Sequence, residues 1–297
     1  MNATRRHKRN IIYPFLFILL FIGSLFSCKE TIFIETDDAP ERLVIYGTYS
    51  NEVKRHAIRI TRSAGYFTTT PSQGVSDAIV TLRSGDKSLQ LEELISEPGT
   101  YLMDIPRLGI EGETYTLHVA VDFDGDGERE EFEATSYLPY IAQLDSIGFH
   151  KSLLIKDMVE IQLYGKLPEN EDNNFSLHAY RNNKLLNDSL DGFFIISEEY
   201  LDKTEFDGVS CFFLDQSEEE TLLQAGDEVM LTVDVINRDY ADFLNNAQRE
   251  AAGSIPFFGG PPANIETNFR AIHNPGKVAV SGFFATYARS TTTRVYE

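Results

Sequence analysis

The stretch DFDGDGEREEFE, Asp122–Glu133, carries aspartates at three alternating positions, glycine at the sixth and glutamate at the twelfth. This is the spacing of an EF-hand calcium loop, where short side chains supply oxygens early and a glutamate closes the site. Asp122, Asp124, Asp126, Glu128 and Glu133 are therefore the candidate ligands of a structural Ca2+, Glu128 through its backbone carbonyl. Seven carboxylates and one base, Arg129, crowd these twelve residues. Drawing them into a tight turn costs repulsion that a divalent cation would relieve. Against this, the flanks read as strands instead of the two helices of an EF-hand, and Arg129 stands where such a loop has an apolar residue. Asp-Gly twice over is also a plain hairpin signal. Two readings stay open: a weak extracellular-type calcium loop, with a dissociation constant on the order of 10⁻⁴–10⁻³ M, and an acidic hairpin.

Other chemistry is sparse. The chain has no H-E-x-x-H, no G-x-S-x-G and no P-loop. Outside the first 27 residues the histidines are His56, His118, His150, His178 and His273, with no pair at local metal-ligand spacing. His56, His118 and His178 read as strand-face residues. Cys211, in GVSCFFLD, reads as a small buried residue. The expectation is a protein without catalytic function. A second candidate site is SIPFFGGPPANIETNF, Ser254–Phe269, a stiff aromatic loop. Phe257, Phe258 and Asn264 in it would face a ligand or partner, or else Phe257 and Phe258 plug the end of the sandwich.

The elements that must position these residues are strands. RLVIYGTY, RHAIRITR, DAIVTLR, GTYLMDI and ETYTLHVAV are rich in β-branched and aromatic residues and alternate with period two. Tyr115, Leu117, Val119 and Val121 fall on one face. Gly, Pro, Asn and Asp punctuate the runs, which argues for an antiparallel sandwich. Pro139 in TSYLPYIAQLDSI marks a crossing, after which strands resume with DMVEIQLYG, NFSLHAYR and GDEVMLTVDVI. One helix is expected at about 238–252, with Asn237 as N-cap and Gly253 as stop. Its stripe of Tyr240, Phe243, Leu244, Ala247 and Ala251 would pack on the second sheet. The fold class is thus all-β: an Ig-like or prealbumin-like antiparallel sandwich over 42–139, then a β-rich domain over 140–297 with one amphipathic helix.

The N-terminus reads as an address. A basic segment is followed by 16 apolar residues, Ile11–Phe26, too few for a comfortable membrane span. Residues 1–27 are expected to be a secretory signal, and LFSC at Leu25–Cys28 resembles a bacterial lipobox. Cys28 would then carry lipid, with 28–41 as a tether, and Lys29-Glu30 resembles a surface-export signal. The net charge is −20, and −24 without residues 1–27, which hold four bases and no acid. Such a surface repels nucleic acid, which is excluded as a partner.

Several segments carry a family resemblance. They are the lipobox with ETDDAPERLVIYGTYSN, then ITRSAGYF and GVSDAIVTL, NRDYADFLNNAQREAAG, PPANIETNF and GFFATYARS. Together they resemble a family of Bacteroidetes outer-membrane lipoproteins of unknown function, family 4249 of the domains of unknown function. GVSDAIVTLRSG through ETYTLHV separately resembles a carboxypeptidase-regulatory or prealbumin-like sandwich, which concerns fold alone. The family resemblance implies an all-β lipoprotein of the outer membrane, facing the cell surface and working beside a TonB-dependent transporter in nutrient capture. It implies no catalytic residues. The alternatives are a structural or adhesive surface lipoprotein and, third, a hydrolase with an unrecognised site.

Overall fold

The computed structural model describes residues 41–63, 71–168, 173–186, 194–197, 199, 201, 205–251 and 265–297. Cys28, Phe257, Phe258 and Asn264 lie outside the described residues. Residues 40–297 form one compact unit. It is all-β, with one α-helix among the described residues.

The first sandwich is a single sheet folded back on itself. Strands β1 (Leu43–Ser50), β2 (Ala57–Arg62) and β5 (Thr100–Leu102) form one layer. β3 (Ile79–Ser84), β6 (Thr114–Val121), β7 (Glu130–Tyr137) and the short β15 (Arg270–Ala271) form the other. β4 (Lys87–Glu93) turns the corner, pairing with β3 along most of its length and with β5 at its end. The alternation read from ETYTLHVAV holds: Tyr115, Leu117, Val119 and Val121 are all buried in the core.

The second half sets a three-stranded sheet against an extension of the first. β8 (Gln143–Lys151), β9 (Met158–Lys166) and β13 (Glu205–Asp215) pair in the order β13-β9-β8. The opposing layer holds β10 (Asn174–Arg181) and β14 (Glu228–Ile236), edged by the short β11 (Lys184–Leu185) and β12 (Phe194–Ser197). Val229, Leu231, Val233 and Val235 enter this core from one face of β14. Cys211 is buried here, its Sγ 3.2 Å from the Ile161 carbonyl.

The expected division near residue 140 separates two hydrophobic cores, with Leu138 in the first and Ala142 in the second. It does not separate two sheets. β16 (Val280–Val295) runs through both halves: Val280–Tyr287 pairs parallel with β1, and Tyr287–Val295 pairs antiparallel with β14. Phe269 and Phe284 come from the C-terminal half yet lie in the first core. Gly282, at φ +93°, permits the parallel approach, since a Cβ there would collide with the Ile45 carbonyl.

Cross-strand partners share a face, so the registers put both cores on one side of the β10-β14-β16-β1 sheet. The opposite side carries α1 (Arg238–Ala251). Its Tyr240, Ala241 and Leu244 are buried against Ile236, Phe283, Ala285 and Tyr287, with Phe243 partly buried beside them. The helix stripe therefore packs outside the second core, and Ala251 at its end is exposed. Asn237 starts the helix, its carbonyl accepting from Tyr240 and Ala241 N–H, while its side-chain amide reaches Ser136 and the Tyr137 carbonyl in the first sandwich.

Candidate functional site

The acidic hairpin joins β6 to β7. Its tip is tied by the aspartates themselves. Asp122 accepts from the N–H groups of Gly125 and Gly127, Asp124 from Asp126 N–H and Asp126 from Glu128 N–H, at 2.8–3.2 Å. Gly125 and Gly127 take φ of +77° and +91°, a conformation that favours glycine. The three aspartates each bring a carboxylate oxygen within 4.8 Å of the others, at exposed positions.

Of the other two expected ligands, Glu128, expected to act through its backbone carbonyl, stands exposed at the tip, and Glu133 is drawn away. Glu133 lies on β7 opposite Arg270 of β15, and its carboxylate takes Arg270 Nε at 2.9 Å. The reason is strand geometry: by the twelfth position the chain is committed to the β7 ladder, and no second helix turns it back to the tip. Arg129, at the eighth position, donates to the carbonyls of Asp77 and Ala120.

The cluster holds a cation of its own. Lys277, in the turn after β15, places its ammonium 2.7 Å from Asp126, 2.7 Å from Glu130 and 3.1 Å from Asp124. Glu130 is buried and also accepts the Phe123 N–H. The hydrogen bond from Lys277, then that from Glu128 N–H, holds the Asp126 carboxyl below its ordinary range. The bonds to Asp126 and Glu130 raise the Lys277 ammonium above its own. Lys277 stands about 150 residues away in sequence from its partners, which is why local spacing does not reveal it.

A second polar cluster lies under the edge of α1, on the outer face of the shared sheet. Asp234 of β14 and Arg289 of β16 are direct cross-strand partners. The guanidinium grips both carboxylate oxygens, at 2.6 and 2.7 Å, a fork-to-fork pair. Asp234 is 4% exposed. Arg289 also reaches Glu52 at 3.3 Å, and Glu52 takes Lys54 at 2.6 Å and the Tyr287 hydroxyl at 3.1 Å. Burial opposes the charge of Glu52, but its bond to Lys54 and the nearness of Arg289 win, setting its pKa at about 2. Burial likewise opposes the Arg289 charge, and Asp234 reverses that and holds it above the ordinary arginine value.

This cluster walls a cavity of about 190 Å³ whose rim includes Tyr46, Thr48, Tyr240 and Tyr287. Tyr46 and Tyr240 share a hydrogen bond of 2.9 Å. Burial pushes the Tyr240 hydroxyl well above the ordinary phenol range, so it stays neutral. Ser176 and His178 of β10 complete the wall, with Ser176 Oγ 3.3 Å and Asp234 Oδ2 3.6 Å from the same ring nitrogen, His178 Nε2. A serine–histidine–aspartate relay needs the two partners on different ring nitrogens. Here they converge on one, Asp234 is already held by Arg289, and Ser176 is 3% exposed.

Of the histidines read as strand residues, His118 and His178 lie on β6 and β10. His56 precedes β2, buried, with Nε2 near the Glu52 and Arg107 carbonyls. From the aromatic loop, the described end is structural. Asn268 brackets Phe284 with two bonds to its backbone, and Phe269 is buried in the first core.

No curated protein matches the chain. Among solved structures, the crystal structure of the chicken CNTN1 FN1–FN3 domains is similar over 68% of this chain and 64% of that chain, at 12% identity with a TM-score of 0.28. This chain thus spans less than two thirds of that structure's length. The model of the family described as a domain of unknown function, DUF4249, matches residues 29–293, and the chain belongs to that family.

Proposed function

We propose that the protein is a lipid-anchored accessory protein of the outer membrane, held by Cys28 and facing outward, which binds a nutrient and hands it to a TonB-dependent transporter. The observation that carries the binding reading is the state of the ionisable groups around the sheet-face cavity. Asp234 and Arg289 in its wall are paired with each other, and Arg289 also meets Glu52, which in turn holds Lys54. Such a cavity offers fixed donors, acceptors and aromatic edges to a bound molecule. A serine hydrolase built on Ser176 and His178 is disfavoured, because Ser176 and Asp234 meet the same ring nitrogen, Nε2 of His178. Cross-linking and co-purification of the native lipoprotein tests the reading. A stoichiometric TonB-dependent transporter is the expected companion. Recovery without one, with binding to matrix components, would favour the adhesive alternative, and turnover of a glycan or peptide panel would favour the hydrolase.

The acidic hairpin enters this reading as a structural part. Ca2+ and the Lys277 ammonium would compete for Asp124 and Asp126, so any calcium binding by the native chain is weak. Calorimetric titration separates the two cases, with Asp124→Ala plus Asp126→Ala as the blank. A saturable heat at millimolar Ca2+ that the blank lacks supports a calcium loop, and its absence leaves an acidic hairpin neutralised from within.

A further inference from the structure

A different hollow, of about 370 Å³, opens at the end of the first sandwich between the β3–β4 hairpin and the segment 107–110. We propose that it binds a small amphipathic anion, a compact apolar body bearing one carboxylate-like head.

The apolar part follows from the walls. Leu82, Leu89, Leu108 and Ile110 line the hollow together with the rings of Tyr49 and Tyr115. Leu108 and Ile110 remain 48% and 47% exposed, so apolar surface is left facing water that a ligand would cover. The volume falls within the usual range for a small-molecule site.

The anionic part follows from the charges. Arg83, Lys87 and Arg107 line the hollow, against the single carboxylate of Glu113. A local excess of cations is unexpected in a chain of net charge −20. Glu113 is occupied, accepting from Ser84 Oγ at 2.8 Å and from the Tyr115 hydroxyl at 3.2 Å. Arg107 meets Asp104 through Nη2 at 3.2 Å. Its Nε is buried and has no hydrogen-bond partner among the described residues. That atom has almost no accessible surface, so a ligand in the hollow would meet Arg107 through its other guanidinium nitrogens.

The hollow is also formed in advance. The Tyr49 hydroxyl donates to the Leu108 carbonyl and the Tyr115 hydroxyl accepts from Ile110 N–H, each at 2.8 Å, while Gly109 N–H reaches the Ser50 carbonyl at 2.7 Å. These bonds fix the wall from inside the sandwich, so a ligand meets a site that needs little ordering.

Calorimetry on the full chain with hexanoate, hexanol and hexylammonium, each against a matched blank, tests the assignment. Hexanoate should bind one to one and about tenfold more tightly than either of the others. Arg107→Gln should cost about tenfold in hexanoate affinity and leave hexanol binding unchanged. Should Arg107→Gln shift the melting temperature, the exposed pair Arg83→Gln with Lys87→Gln gives the same test away from the buried atom. No hexanoate binding, hexanol binding as tight as hexanoate, or full hexanoate affinity in a charge variant that keeps its melting temperature would each overturn the proposal.

Discussion

The acidic hairpin and the cluster beneath α1 are both knots of carboxylate and base, yet they stand in opposite surroundings. In the hairpin Lys277 and the three aspartates are at least partly in water, and the loop holds its shape through aspartate bonds to its own backbone. In the cluster Asp234 is buried and Arg289 covers it from the neighbouring strand. The same Coulomb attraction is therefore screened in one place and coupled to a desolvation penalty in the other. The hairpin is a local ornament on one sandwich. The cluster ties β14 and β16 to Glu52 and Lys54 of the first half, across the line between the two cores.

The largest expected effect separates these surroundings directly. Arg289→Ala leaves the Asp234 carboxylate buried without its partner and should cost about 3–5 kcal/mol in a denaturant titration. Replacing Asp234 and Arg289 together with Asn and Leu should recover much of that loss, because no unpaired charge remains. A double variant as unstable as Arg289→Ala would mean that the pair's own attraction, and not the stranded charge, carries the effect.

Next comes acid sensitivity. Glu52 is depressed to about 2 from an ordinary 4.5. Its contribution is complete above the unfolded value and is lost as pH falls from about 4.5 toward 2. Glu52→Gln should therefore be less stable than the native chain at neutral pH and show a flatter decline across that window. A parallel decline in the two proteins would remove Glu52 from the acid response.

Lys277→Gln should have the smallest effect on folding, lowering the melting temperature by a few degrees, because Glu130 alone among its carboxylate partners is buried and keeps the Phe123 N–H, and the part owed to the exposed aspartates should shrink in salt. Its informative readout is calcium. Removing the resident ammonium leaves the aspartates uncompensated, so Ca2+ should bind the variant more tightly than the native chain. Equal affinities would show that Lys277 and Ca2+ do not share a site.

The contrast also separates what was legible in the sequence from what was not. The strands, their buried faces and the helix follow from the period of apolar residues, as Tyr115–Val121, Val229–Val235 and Arg238–Ala251 show. The hairpin tip was visible because its geometry is local: alternating aspartates and two glycines suffice. Lys277 was not, because nothing within the loop points to a base so far along the chain. The Asp234–Arg289 pair left a faint trace, an acid inside the apolar run VMLTVDVI and an arginine inside FFATYARS. Matching them requires the β14–β16 register, which only the assembled sheet provides. The split into two domains followed Pro139 and the fresh run of strands after it, whereas the chain returns through β16 to lie beside β1. A strand that pairs with two distant partners carries no local mark of doing so.

The claim that β16 and the buried cluster weld the two cores into one body is tested most directly by hydrogen exchange along a denaturant series, comparing amides of β6 in the first core with those of β9 in the second. Both sets should lose protection at the same denaturant concentration in the native chain and together, earlier, in Arg289→Ala. Separate midpoints for β6 and β9 in the native chain would show two independently folding sandwiches and contradict the account.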